Sequence, residues 1–160
     1  MKKHIENKEL NRIDKRAIEA LAVAPVILAV AERIGMESAL AILREVNRKE
    51  AFQRGQSMRK SEGQNGIDEL VDEVATWGEG GLWEMEVLER TPTTYFFNVT
   101  RCPYYEKYRE LGLDEFGVEL SCCRDEPFAK GFNPRMKLMR TKTIMEGSDH
   151  CDFQYYLNTK

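Results

Sequence analysis

The chain has 160 residues, of which 42% are hydrophobic and 32% charged, with a net charge of −3. That length suits one domain with a real core, and the globular balance excludes wholesale disorder. A weakly acidic chain without a basic stripe gives no case for nucleic acid as a partner.

From the N-terminus, Met-Lys-Lys does not lead into a signal peptide, because Glu6, Glu9, Arg12 and Asp14 interrupt any apolar stretch. The run from Ala20 to Ala31 is bounded by Glu19 and Glu32 and broken by Pro25, short of the roughly 20 apolar residues a membrane span needs. The expectation is a cytoplasmic protein without a membrane partner, whose four cysteines are reduced. Helical spacing begins at Lys8 and runs to Ile34, with a kink or break expected at Pro25 and a stop at Gly35. A second helix is expected from Glu37 to about Lys60 with Leu40, Leu43, Val46, Ala51 and Phe52 inward, then a loop over residues 61–66, then a helix from Ile67 to about Trp77. Residues 67–98 hold eight acidic side chains and one basic one, read as a solvated helix and turn.

After Gly78, Gly80 and Gly81 the period changes. Trp83, Met85 and Val87 alternate, Thr91-Pro92 turns the chain, and Tyr95, Phe97 and Val99 alternate again, which predicts an antiparallel hairpin. Short helices are expected over Tyr104–Leu111 and from Asp114 to about Phe128, with a turn at Gly131-Phe132-Asn133-Pro134. Two more strands, Met136–Met145 and Cys151–Leu157, follow. The fold class is α+β: N-terminal helices packed on a C-terminal antiparallel sheet of about four strands, with short inserted helices. It is read as a single domain over residues 1–160, with a helical part about 6–78 and an α+β part about 80–158. The apolar helix surface near Pro25 fits a homo-oligomer seam and the domain core equally.

All four cysteines lie in the second half, and none forms a C-x-x-C pair, so the spacing of a zinc ribbon or thioredoxin-like site is absent. Cys102 should end a strand just before a helix whose dipole favours a thiolate. Cys122 precedes Asp125 by three residues, one helical face. Cys151 opens the last strand between His150 and Asp152, and shares a face with Phe153, Tyr155 and Leu157, as a core residue would. Cys123 has no partner at helical spacing and reads as structural. His150 alone suits an exposed turn, His4 lies in the terminus, and Arg140 to Thr143 suit polar strand positions. The aromatic residues of the strands read as sheet packing rather than a base-stacking platform.

Four segments in order, Asn98–Tyr104, Leu120–Asp125, Gly131–Pro134 and Arg140–Gly147, the last followed by His150-Cys151-Asp152-Phe153, together resemble the L-2-amino-thiazoline-4-carboxylic acid hydrolase family. The resemblance covers roughly residues 95–156. It implies a hydrolase that opens the thiazoline ring of 2-aminothiazoline-4-carboxylate to a carbamoyl-cysteine. The family's pattern falls on Cys102, on Cys122 with Asp125, on Arg140 and Thr143, and on Cys151 with Asp152 or Phe153; Cys123 is not carried over. With His150 added as a proton shuttle, the candidate catalytic residues are Cys102, Cys122, Asp125, His150 and Cys151, with Arg140, Thr143 and Asp152 binding substrate.

Two mechanisms suit these residues. Cys102 attacks as a thiolate while Asp125 or His150 shuttles protons; or Cys102, Cys122 and Cys151, with His150, hold zinc or another divalent metal that activates water. The thiol route, which needs no cofactor, is preferred because metal ligands are usually paired more tightly in sequence. Arg140 or another cation near the last strands would take the substrate carboxylate. The rival function is a non-catalytic small-molecule- or metal-binding sensor-like module, which normally accompanies an output domain for which this chain has no room. A third reading makes the chain an assembly subunit with its cysteines as core filler.

Overall fold

A computed structural model describes residues 10–59 and 65–159. The expected helix start at Lys8, the end near Lys60, most of the 61–66 loop and His4 lie outside the described residues.

Helix α1, Arg12–Ile34, starts where the Asn11 side chain accepts the Asp14 N–H at 2.8 Å and ends at Gly35, whose φ of +87° suits glycine. It runs unbroken through Pro25. Proline removes one hydrogen bond, to the Leu21 carbonyl, yet both residues are exposed, so water can serve that oxygen, while Ala20, Ala24 and Ile27 pack on the buried side. The apolar residues around Pro25 therefore divide: these three enter the core, while Ile18, Leu21, Val26 and Leu28 stay exposed. Helix α2, Met36–Ser57, folds back on α1, and α3, Ile67–Ala75, turns Leu70 and Val74 inward. In α2, Leu43 and Ala51 are buried as expected, but Val46 is exposed and Asn47 takes the inward position. Among the described residues, no helix is long and apolar enough to cross a membrane.

Strands β1, Glu84–Arg90, and β2, Thr94–Arg101, form the hairpin. With β3, Met136–Met139, and β4, Cys151–Leu157, they make an antiparallel sheet of order β1-β2-β4-β3. The α+β class and the four strands are as the alternation implies. Tyr95, Phe97 and Val99 face Tyr155, Phe153 and Cys151 across the β2–β4 pair, and Phe97 and Phe153 stack at 4.8 Å. Helix α4, Pro103–Glu110, follows β2, and α5, Gly117–Leu120, and α6, Asp125–Phe132, precede β3.

The expected helix 114–128 is divided into 3₁₀ turns at Asp114–Phe116 and Cys122–Arg124 with α5 and α6 between and after them. Helix α6 also continues through Gly131 and Phe132, which read as a turn. The reason is a close approach: a β-carbon on Gly131 would overlap the Phe52 carbonyl oxygen, and one on Gly55 the Phe128 carbonyl oxygen. The two glycines let α2 and α6 pack backbone to backbone. Strand β3 is shorter than the expected Met136–Met145, because the Asp152 carboxylate accepts the backbone N–H groups of Thr141 and Lys142 at 2.8 and 2.6 Å and draws them off the ladder.

One apolar cluster lies between the sheet, α3, α6 and Ala51 of α2. A second joins α1, α2, α4 and α5 around Tyr108 and Leu120. Residues of both clusters border the candidate site.

Candidate active site

A cavity of about 90 Å³ lies where the end of β2 and the start of β4 meet the helices. Pockets for drug-sized ligands run to roughly 300–1,000 Å³, so this one suits a compact molecule. Val99 and Cys151, paired across β2 and β4, form part of its floor.

Three thiols line it: Cys102, Cys122 and Cys151. Cys102 is the N-cap of α4, with Pro103 at the first helical position. The expectation of a lowered pKa at this helix start is not met. Burial pushes the Cys102 thiol up to about 11, outweighing the opposing pull of the Tyr105 and Tyr104 backbone N–H groups. Burial also raises Cys122, with the Asp125 charge as the second cause. Cys151 is raised by burial, against the Ile144 N–H that donates to its Sγ at 3.2 Å. All three are therefore neutral thiols at pH 7 until a base takes the proton.

Asp125, the first residue of α6, interacts electrostatically with each of the three thiols. Burial raises its carboxyl above the ordinary range, and the Arg140 guanidinium opposes that shift. Arg140 ion-pairs with Asp125 through Nη1, donates from Nη2 to the Cys122 carbonyl at 2.9 Å, and lies 5.0 Å from the centre of the Phe153 ring. Its two terminal nitrogens are thus committed.

The helices bring further charge. Arg12, Arg16, Arg54, Arg124 and Arg140 line the cavity with only Glu50, Glu73 and Asp125 to balance them. Arg124 is engaged by Glu50, the Asn47 side chain and the Leu120 carbonyl. Arg12 and Arg54 share one oxygen of the buried Glu73, at 3.1 and 2.8 Å, and the Trp77 indole donates to the same atom at 3.3 Å. Arg54 is pulled below its ordinary value by burial and then by the like charge of Arg12. The Tyr104 hydroxyl donates to the Trp77 carbonyl at 2.8 Å and closes this wall.

Of the residues the sequence points to, Cys102, Cys122, Asp125, Arg140 and Cys151 come together in the cavity wall, while His150, Thr143 and Asp152 do not line it. His150 pairs with exposed Asp149 at 2.6 Å. Thr143 caps the 3₁₀ turn Ile144–Glu146, accepting the Glu146 N–H at 3.1 Å. Asp152 clamps residues 141 and 142, and its carboxyl is held below the ordinary range by the Thr141 hydroxyl and those backbone N–H groups against burial. Cys123 points elsewhere, with Sγ donating to the Glu119 carbonyl at 3.1 Å.

Arg12, Arg16, Arg54, Arg124, Glu50, Glu73 and the two tryptophans were missed. Their signal was charge on the apolar side of a helix: Arg16 lies between Ile13 and Ala20, and Glu73 between Leu70 and Trp77, at helical spacing. Charge on a buried stripe needs a partner or a purpose.

Among the described residues, no three His, Cys, Asp or Glu side chains gather as a metal ion requires. Asp125, which acts electrostatically on all three thiols, already has its partner in Arg140. A comparison with curated proteins found no match. The family model for L-2-amino-thiazoline-4-carboxylic acid hydrolase matches residues 15–155, a span that takes in the three cavity thiols, Asp125 and Arg140 and all but Arg12 of the other arginines. The chain belongs to the L-2-amino-thiazoline-4-carboxylic acid hydrolase family.

Proposed function

We propose that the chain is a cytoplasmic hydrolase that opens a small cyclic amidine-type substrate, with 2-aminothiazoline-4-carboxylate the compound to which the family's name points. The observation that carries this reading is one small cavity lined by three thiols, a carboxylate that acts electrostatically on each of them and an excess of guanidinium groups.

The electrophile is the ring carbon between nitrogen and sulfur. Cys102 Sγ adds to it as Asp125 takes the thiol proton, since a neutral thiol is a poor nucleophile. The bond from that carbon to one ring heteroatom then breaks, and Asp125 returns the proton to the departing atom. This leaves that carbon attached to Cys102 Sγ with a C=N bond still in place. Water adds to that carbon, the Cys102 thiol departs with a proton, and the product is a carbamoyl-cysteine, so the overall change is the addition of one water. Arg140 is a positioning residue: it fixes Asp125 and, through the Cys122 carbonyl, the turn before it. Asp152 and Thr143 act one step further out, shaping the loop that carries Arg140.

The test is incubation of the purified protein with 2-aminothiazoline-4-carboxylate, following loss of the ring and appearance of a carbamoyl-cysteine by mass spectrometry. Steady turnover supports the reading. A protein that binds the compound and leaves it intact is the sensor-like module instead.

A further inference from the structure

Arg140 and Arg124 face the cavity with their terminal nitrogens committed to protein acceptors. Arg12 is likewise committed, to Glu73 through both terminal nitrogens and to the Thr76 hydroxyl at 2.8 Å, whereas Arg16 and Arg54 are placed differently. Arg12 and Arg54 divide a single Glu73 oxygen, and Arg16 pairs with Glu19, a side chain more than half exposed. Arg16 also adds to the like-charge field on Arg54. Two guanidinium groups thus share one buried carboxylate oxygen, and a third leans on a carboxylate that is half in solvent. The same wall holds an unmet donor. Trp83 lines the cavity, stands edge-on to Trp77 at 6.4 Å, and its buried Nε1–H has no hydrogen-bond partner among the described residues. Buried donors without acceptors are costly, and positive charge in excess of its acids is unstable unless something anionic arrives.

We propose that Arg16 and Arg54, with the indole N–H of Trp83, form an anion subsite that takes the carboxylate of a compact ring ligand beside the thiols. For the ring itself this rests on the hydrolase reading; the subsite stands on the arginines and the indole alone. A carboxylate there accepts a forked guanidinium and the indole proton, which restores the charge balance and supplies the missing acceptor. Specificity follows. A ring bearing a carboxylate is retained, and the same ring without it is not, because the donors would stay unmet.

The test uses thiazolidine-4-carboxylate, which carries the carboxylate on a similar ring but lacks the amidine carbon and so cannot be opened, with neutral thiazolidine as the control, both titrated by calorimetry. The wild-type protein should bind the carboxylate and not the neutral ring. Arg54→Gln and Arg16→Gln should each weaken binding about tenfold or more, and Trp83→Phe about threefold, by the usual strength of charged and neutral hydrogen bonds. Melting curves identify which variants are folded; if Arg54→Gln is not, Arg16→Gln and Trp83→Phe decide. Equal affinity in the folded variants, or binding of the neutral ring as tightly as the acid, would overturn the subsite. Binding of the acid without any ring-opening activity would retain the subsite and remove the hydrolase; turnover by variants that bind normally would do the reverse.

Discussion

Arg140, in the loop after β3, ion-pairs with Asp125 at the start of α6 and donates to the Cys122 carbonyl at 2.9 Å. One guanidinium therefore ties the sheet to the turn that carries a thiol and the proposed proton carrier. Arg140→Gln leaves Asp125 buried without its counter-charge, which should cost about 3 kcal/mol in urea unfolding. The loss should depend on pH. Burial already raises the Asp125 pKa, and removing the cation raises it further. A carboxyl whose folded pKa lies above its unfolded value loses stability as pH climbs from the unfolded value through the folded one. The variant's melting deficit should be larger at pH 8 than at pH 5.

The Cys102 thiol, pushed up to about 11, should be nearly unreactive at neutral pH in the absence of substrate. Its alkylation by iodoacetamide, located by peptide mass mapping, should quicken about tenfold per pH unit between pH 7 and 10, as the thiolate fraction does below its pKa. A plateau already reached at pH 7 would mean that an activated thiolate exists in the free protein.

Asp152 and His150 adjoin the same cysteine and should behave differently. Asp152 takes two backbone N–H groups and the Thr141 hydroxyl at 2.6 Å, so Asp152→Ala should lose about 1–3 kcal/mol of stability and lower turnover by loosening the Arg140 loop. Among the described residues His150 pairs with exposed Asp149, and His150→Ala should change turnover less than about threefold, the scale of a surface pair. A large loss of turnover in His150→Ala would restore a proton-transfer role to the imidazole.

Gly131→Ala tests the backbone contact of α2 with α6. The new methyl would meet the Phe52 carbonyl, and overpacking of this kind costs about 1–3 kcal/mol. Because α6 begins at Asp125, activity should fall along with the melting temperature.

Much of this architecture was legible because period is a local property. Alternation in Tyr95-Phe97-Val99 and Cys151-Phe153-Tyr155 marked two central strands, and those two strands pair with each other in register. Strand β3 was overextended because nothing near residue 141 in sequence shows that Asp152 will take its backbone N–H groups. Pro25 was weighted as a breaker, yet packing on one side of α1 and solvent on the other outweighed one lost hydrogen bond. The thiol side of the site was readable from the late cysteines and their spacing to Asp125. The arginine wall was not, since Arg12, Arg54 and Glu73 meet only through the packing of three helices separated by tens of residues. The elevated Cys102 pKa shows the same limit: the helix start was visible in the sequence, and the burial that outweighs it was not.

The central claim is that Cys102 opens the ring, and turnover of 2-aminothiazoline-4-carboxylate by Cys102→Ser, Cys122→Ser and Cys151→Ser beside the wild type tests it most directly. The account predicts ring opening by the wild type, loss by at least about a thousandfold in Cys102→Ser, as for removal of a nucleophile, and measurable turnover in the other two variants. Wild-type turnover that persists in Cys102→Ser would contradict it.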